Sequence, residues 1–586
     1  MPPARDEKCR HTPLMVANLR PPPLKLDAPT PGGRSNIWGD VEARLAEIPL
    51  AATMRTYLGL VLRRLAVFIL PSFTPNRVSP ARERRNTVGV NTDGNRGGGS
   101  GGAKKALSPT AYLDGMRGVA ALFVFFCHYF YTAFVVAEGY LRLSPPPSSP
   151  PDSNIDTDVA PSSKYTSLWR LPFVRLLYSG PSMVCVFFVI SGYALSLRPL
   201  RLARSSSSSN RQNGGEEAAS AFARTMSSLV FRRFFRLYLP PLASTLGTAL
   251  LVRAGVLEGT RAFVTDRRFV RNIVEHHPPR LGSTPAQLAH WAREMWALVH
   301  VWSWADHAGS TVYDVHLWTI PVEFRCSMVL FLVLVGTARL RGGVRLAVVA
   351  LLAWFVLRSD RWEMLLFLAG MAIADLDVRR NAHDEHELRG IMSTGSTPTP
   401  VLLLPLGEKK TDPGPSSSSS PPRRRRPTAD SFWTLVSVSA LYLLSCPDAG
   451  PWDVPGWRYL GTLIPSWFTE KYRFLQVVGA CLFVFCAARS RGWQRVFETA
   501  AVQYLGHLSY AVYLMHGPVM HVLGYPVQRW AWGVTGIEDP AAYKKGVVLA
   551  AAINIPLVIW AADVFWRAVD IPSVRFAKWL ESKLSV

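Results

Sequence analysis

The most constraining feature of this 586-residue chain is a series of apolar blocks, about 17–25 residues long, set between tracts that cannot build a core. That length is what a helix needs to cross a hydrocarbon layer roughly 30 Å thick. The separating tracts include PPPSSPP and SSSSSPPRRRR, whose composition is that of disorder. Only 18% of the residues are charged and 49% are hydrophobic, whereas a soluble domain carries about 25% charged residues. The sequence therefore predicts an all-α polytopic membrane protein and argues against a string of soluble domains.

Ten spans are expected, at 112–137, 176–197, 237–257, 315–338, 343–358, 361–376, 432–446, 473–488, 503–524 and 547–566. Charge asymmetry orients them. Segment 198–236 carries eight Lys/Arg and two Asp/Glu, and the short turns add Arg339, Arg341, Arg345, Arg489, Arg491 and Arg495. The alternate segments 139–175, 447–471 and 525–545 hold four, two and three Lys/Arg. Basic residues concentrate on the cytosolic side of a membrane, which places both termini in the cytosol. The same clustering accounts for the net charge of +24 without invoking nucleic acid. Residues 1–107 read as a disordered tail containing an interfacial amphipathic helix at 47–72, where Arg55, Arg63 and Arg64 argue against a span. The membrane domain covers 108–567, with disordered inserts at 140–168, 199–222 and 378–429, and 568–586 form a cytosolic tail. Seven scattered cysteines show no CxxC pair and no Cys/His metal spacing, so no metal and no disulfide framework is expected.

Ionisable residues inside spans are costly and mark function. In LDGMRGVAALFVFFCH, residues 113–128, Arg117 and His128 are 11 apart, within about 20° of one helix face and separated by roughly 16 Å of rise. Asp114 is placed to pair with Arg117. Ser191 and Gly192 are small enough to let helices approach closely. Arg232, Arg233 and Arg236 interleave with aromatics before the third span, where they read either as a topology anchor or as a receptor for a phosphorylated ligand. In HLWTIPVEF, His316 and Glu323 are seven apart, two turns up one face, with Arg325 as a nearby partner for the carboxylate. Ser509, Tyr513 and His516 form a polar stripe, from which Tyr510 and His507 fall away.

These segments, in this order, resemble the acyltransferase-3 family of integral membrane acyltransferases over about residues 108–567. The resemblance rests on DGMRGVAALFVFFCH with its Arg-x10-His spacing, SGY after FFVI, RRFFRL, the W-x4-E pair Trp318 and Glu323, and LSYAVYLMH. The chain departs from the family pattern at Met183, at RLYLP and at EFRCSMVLF. The resemblance implies transfer of an acyl group, often acetyl, from cytosolic acyl-CoA to a hydroxyl acceptor such as a glycan, a lipid or a small metabolite. For such a transfer the catalytic residues expected are His128 as base, with a ping-pong acyl-histidine route equally open, Arg117 to orient the donor or balance its phosphate charge, and Glu323 to hold the acceptor or orient an imidazole. The resemblance implies substrate contacts by Asp114, Arg232, Arg233, Arg236, Ser191, Trp318, Tyr513 and His516. An endomembrane or the plasma membrane would house such a protein. The rival readings are a proton-coupled transporter and a non-catalytic membrane scaffold.

Overall fold

The computed structural model describes residues 68, 70–72, 107–141, 167–208, 214–302, 310–380 and 427–585. The chain divides into two units, Met1–Leu70 and Pro71–Val586. Only Phe68 and Leu70 of the first unit are described, so the expected helix at 47–72 lies almost wholly outside the described residues, as do most of the inserts at 140–168 and 378–429.

The second unit is helical, and among the described residues only two isolated bridges pair extended backbone. Its first half comprises α1 (Ala111–Tyr131), α2 (Gly180–Ser208), α3 (Gly214–Arg253), α4 (Glu258–Thr265), α5 (Thr284–Val299), α6 (Thr319–Thr337), α7 (Gly342–Arg358) and α8 (Trp362–Arg379). The second half comprises α9 (Pro427–Leu444), α10 (Trp457–Gly461), α11 (Lys471–Ala487), α12 (Arg491–Phe497), α13 (Ala500–Val519), α14 (Tyr525–Thr535), α15 (Pro540–Phe565) and α16 (Ile571–Leu584). Among the described residues, five helical runs are long and apolar enough to cross a membrane: α1, α2, α3, α6 with its leading turn, and the run through α15 and α16. A sixth follows if α11 and α12, bent by 94°, form one span.

Two of the expected irregular regions are ordered helix. Most of the insert expected at 199–222 extends α2 to Ser208 and begins α3 at Gly214. The expected tail contains α16, which packs on α3 through Phe235 and Phe576 and through Arg232 and Glu581. The reason is local: the five Ser after Arg204 have modest helix propensity, yet neither Pro nor Gly interrupts α2 between Leu200 and Ser208.

Small residues set the closest crossings. A Cβ at Gly192 would come within 2.2 Å of the Phe367 carbonyl oxygen, so α2 and α8 touch backbone to backbone as its size predicts. Gly118 on α1 and Gly506 on α13 meet in the same way. Helix α8 is polar for a span because Asp375 and Asp377 are buried in it. Asp375 pairs with Arg345 of α7 and with Arg379, and Asp377 pairs with Arg489 at 3.1 Å. Arg345 and Arg489, expected in short cytosolic turns, are therefore internal counter-ions. A buried acid left unpaired would cost several kcal/mol.

Candidate active site

Helices α1, α2, α6 and α13 border an open cleft lined by Arg117, Ser191, Thr319, Glu323, Tyr510 and Tyr513 among apolar side chains. Helical register explains who lines it. Arg117 and Val124 are two turns apart on α1, and Ser509 and Tyr513 are one turn apart on α13. Tyr510 joins them, contrary to its expected position off the stripe, and its hydroxyl donates to the Leu237 carbonyl at 2.8 Å.

Charge in the cleft is partly balanced. Arg233 donates to Glu323 at 2.7 Å and, through Nε, to Ser327 at 3.0 Å. The Ser191 hydroxyl donates to the same Glu323 oxygen at 3.2 Å. Glu323 is thus held by Arg233 from α3 rather than by its neighbour Arg325. Ser191, read as a packing residue, is a carboxylate partner, while Gly192 beside it makes the helix contact. Arg117 is different: its Nε is buried and has no hydrogen-bond partner. Arg236 is exposed and within electrostatic reach of Arg233, Arg117, Asp570 and Glu323. This leaves cationic capacity at the cleft, the condition under which guanidinium groups take up phosphate or carboxylate oxygens.

Three expected residues lie apart. Asp114 is exposed, and among the described residues no ion pair joins it to Arg117. Its backbone carbonyl packs against Gly506 at the α1–α13 crossing, and the residue does not line the cleft. Arg232 pairs with Glu581 of α16 at 3.1 Å and does not line the cleft. Trp318 packs, half-buried, against the apolar core that includes α2 and α8.

Tyr513 joins the cleft to a second group. Its hydroxyl bonds Thr319 Oγ1 at 2.6 Å and the His316 carbonyl, and its ring lies 6.0 Å from that of His516. There His128, His316 and His516 converge, with ring centroids separated by 4.0 Å for His128–His316, 4.6 Å for His316–His516 and 5.2 Å for His128–His516. The expectation that His316 and Glu323 share a face is corrected. His316 lies in the 3-10 turn Val315–Trp318, and the change of helix type sends the two side chains to different groups.

Two further carboxylates, unread in the sequence, complete this cluster. His316 Nδ1 is 2.9 Å from Asp314 Oδ1, and its Nε2 is 2.9 Å from Glu275 Oε1. Glu275 also accepts from Tyr525 at 3.3 Å and lies 3.5 Å from His521 Nε2. Burial opposes ionisation of Glu275, but His316 and His521 outweigh it and hold the carboxyl well below the usual range. His277, 2.7 Å from His521, is pushed down to about 3 by burial, with His521 and Arg261 adding to the effect. Asp314, directly before the turn VHLW, is an N-terminal cap whose side chain accepts from the His316 backbone N–H, a local signal that was available. Glu275 lies between helices in a segment without periodicity and gave no such signal. One ligand atom from each of the three imidazoles falls within 4.8 Å of the others, close enough for a metal. Both nitrogens of His316 are already engaged by carboxylates, however, so only His128 and His516 have nitrogens left to offer.

The comparisons with known proteins agree with this architecture. Residues 110–567 match the acyltransferase domain that defines the acyltransferase-3 family. The chain is 30% identical to Acyltransferase R4 of Phoma sp. over 478 residues, covering 80% of this chain and 94% of that protein. It is 27% identical to O-acetyltransferase PaAT-1 of Phomopsis amygdali over 508 residues, covering 82% and 86%. With Acyltransferase clz18 of Cochliobolus lunatus it shares 28% identity, covering 79% and 94%. No solved structure matches the chain. On the breadth of these matches, with the Arg117–His128 stripe and the polar stripe of α13 within the matched range, the chain belongs to the acyltransferase-3 family of membrane proteins.

Proposed function

We propose that this protein is an acyl-CoA-dependent O-acyltransferase that moves an acyl group, acetyl in the first instance, from the cytosol to a hydroxyl acceptor. The acceptor classes in keeping with this reading are glycans, lipids and small metabolites. Ten membrane crossings with both termini cytosolic put the Arg232–Arg236 triplet beside the donor, in an endomembrane or the plasma membrane. One observation carries the reading. A cleft with an unsatisfied guanidinium, Arg117, adjoins a cluster of imidazoles through a single side chain, Tyr513.

The parts suit acyl transfer. A coenzyme A thioester brings phosphates, which Arg117 and Arg236 are placed to hold, with Arg233 oriented by Glu323. The acceptor hydroxyl needs a proton acceptor, and an imidazole is the side chain suited to that near neutral pH. His128 takes this role, and Tyr513, Ser191 and His516 line the path between donor and acceptor. The relative from Phomopsis amygdali is an O-acetyltransferase, which supports acetyl as the first donor to test.

The test is label transfer from acetyl-CoA in sealed membranes containing wild type or His128→Ala at equal expression. Transfer by the wild type, with a loss of about 100-fold or more in the variant, is expected. Equal transfer by both removes His128 from its role. Movement of an unacylated substrate across the membrane without acyl-CoA would replace the enzyme with a transporter.

A further inference from the structure

The three imidazoles of the cluster are not equivalent at the level of single nitrogens. A neutral imidazole has one N–H and one lone pair, and the bond made by one nitrogen decides the state of the other. Both nitrogens of His316 face carboxylate oxygens at 2.9 Å, so that ring is committed to Asp314 and Glu275. His516 is set differently. Its Nδ1 lies 3.2 Å from the carbonyl oxygen of Val512, one turn earlier on α13. A carbonyl only accepts, so Nδ1 carries the hydrogen and the neutral ring keeps its lone pair on Nε2. That Nε2 is buried and has no hydrogen-bond partner.

His128 Nδ1 is likewise buried without a partner, and the two rings lie 5.2 Å apart at 28°. A nitrogen of each ring lies within 4.8 Å of one on the other, and an oxygen hydrogen-bonded at about 2.8 Å to each of two nitrogens spans such a gap. We infer that His516 is a second catalytic base beside His128, its Nε2 lone pair receiving the proton of an acceptor hydroxyl seated between the two rings. This rests on the acyl-transfer reading above. As the O–H bond breaks, the hydroxyl oxygen bonds to the thioester carbonyl carbon. The C–S bond then breaks with its electron pair on sulfur, and the proton held by the imidazole pair passes to the thiolate. No further reactant is consumed.

Three variants test it. His516→Asn retains an amide N–H near the Nδ1 position for Val512 but has nothing at Nε2. His516→Gln places an amide near Nε2 that cannot take up a proton. His516→Gly opens space for added imidazole. The full chain is assayed in sealed vesicles with labelled acetyl-CoA, and an ethyl acetate extract of fungal mycelium supplies hydroxyl acceptors. Provided the wild type forms a labelled extractable product, the Asn and Gln variants should lose about 100-fold or more in kcat. Their KM for acetyl-CoA should stay within about twofold, and imidazole should restore part of the Gly variant's rate. An Asn variant within about threefold of the wild type overturns the inference, since the ring then serves only its bond to Val512. A Gly variant that folds, as judged by monodisperse elution in detergent, yet gains nothing from imidazole also counts against it. Absence of product with the wild type itself overturns the acyl-transfer reading instead, and this inference falls with it.

Discussion

The arginine cleft and the imidazole cluster share Tyr513, yet they manage buried charge in opposite ways. In the cleft the side chains come from long apolar helices, and one cation, Arg117, retains an unsatisfied N–H. In the cluster the imidazoles come from helix ends, and two carboxylates from outside the long helices occupy both nitrogens of His316. A region that keeps hydrogen-bonding capacity open is prepared for an anion that arrives and leaves. A region that clamps one ring between two carboxylates, while His128 Nδ1 and His516 Nε2 keep open bonding capacity, is prepared to fix ring orientation and still take up a proton. The comparison separates binding from chemistry within a single protein interior.

That separation can be broken experimentally, and after the His128 and His516 variants the largest effect should come from Glu275→Gln. The change weakens a charged hydrogen bond to His316, worth about 1.5–3 kcal/mol. If that energy appears in the barrier, kcat falls by roughly 10–100-fold, with KM for acetyl-CoA little changed. A shift confined to KM would show that the cluster binds donor after all. Arg117→Ala should do the converse, raising KM for acetyl-CoA by about 10-fold while kcat changes less. A kcat loss at unaltered KM would move Arg117 into the chemistry.

The smallest effect concerns acid. His277 titrates at about 3 in the folded chain, below the ordinary value near 6.5, because burial disfavours its charged form. Between those values the unfolded chain binds the extra proton, so stability is complete above about 6.5 and declines as pH falls toward 3. Thermal unfolding of the detergent-solubilised protein should therefore drop by a few degrees between pH 6.5 and 4.5. His277→Gln should flatten that dependence, and an unchanged slope would assign it to other groups.

How far the sequence could be read depends on the residue. Arg117 and His128 were legible because both lie on α1, where an unbroken helix converts spacing into direction. Gly192 was legible as a close contact for the same kind of reason, since absence of a side chain has one steric meaning. Its neighbour Ser191 was not, because its partner Glu323 is 132 residues away and no spacing encodes that distance. The pairing of Glu323 failed similarly: Arg325 is near in sequence, but Arg233 arrives from another helix. Asp114 and Arg117 have the right separation for an ion pair, yet the close α1–α13 crossing leaves the aspartate exposed. Glu275 was invisible, for it lies in aperiodic backbone where no face can be assigned.

By itself the sequence determined that this chain is helical, apolar enough to enter a membrane, and built around intramembrane Arg, His and Glu side chains in the order of the acyltransferase-3 family. Those properties follow from local rules: block length against membrane thickness, and residue spacing against the helical turn. Only the tertiary structure decided which arginine neutralises which acid, that His128, His316 and His516 meet, and that Glu275 and Asp314 clamp one of them. Such choices arise between helices, where the geometry of close packing selects one neighbour among many compatible ones, and the cost of an unpaired buried charge makes the selection matter.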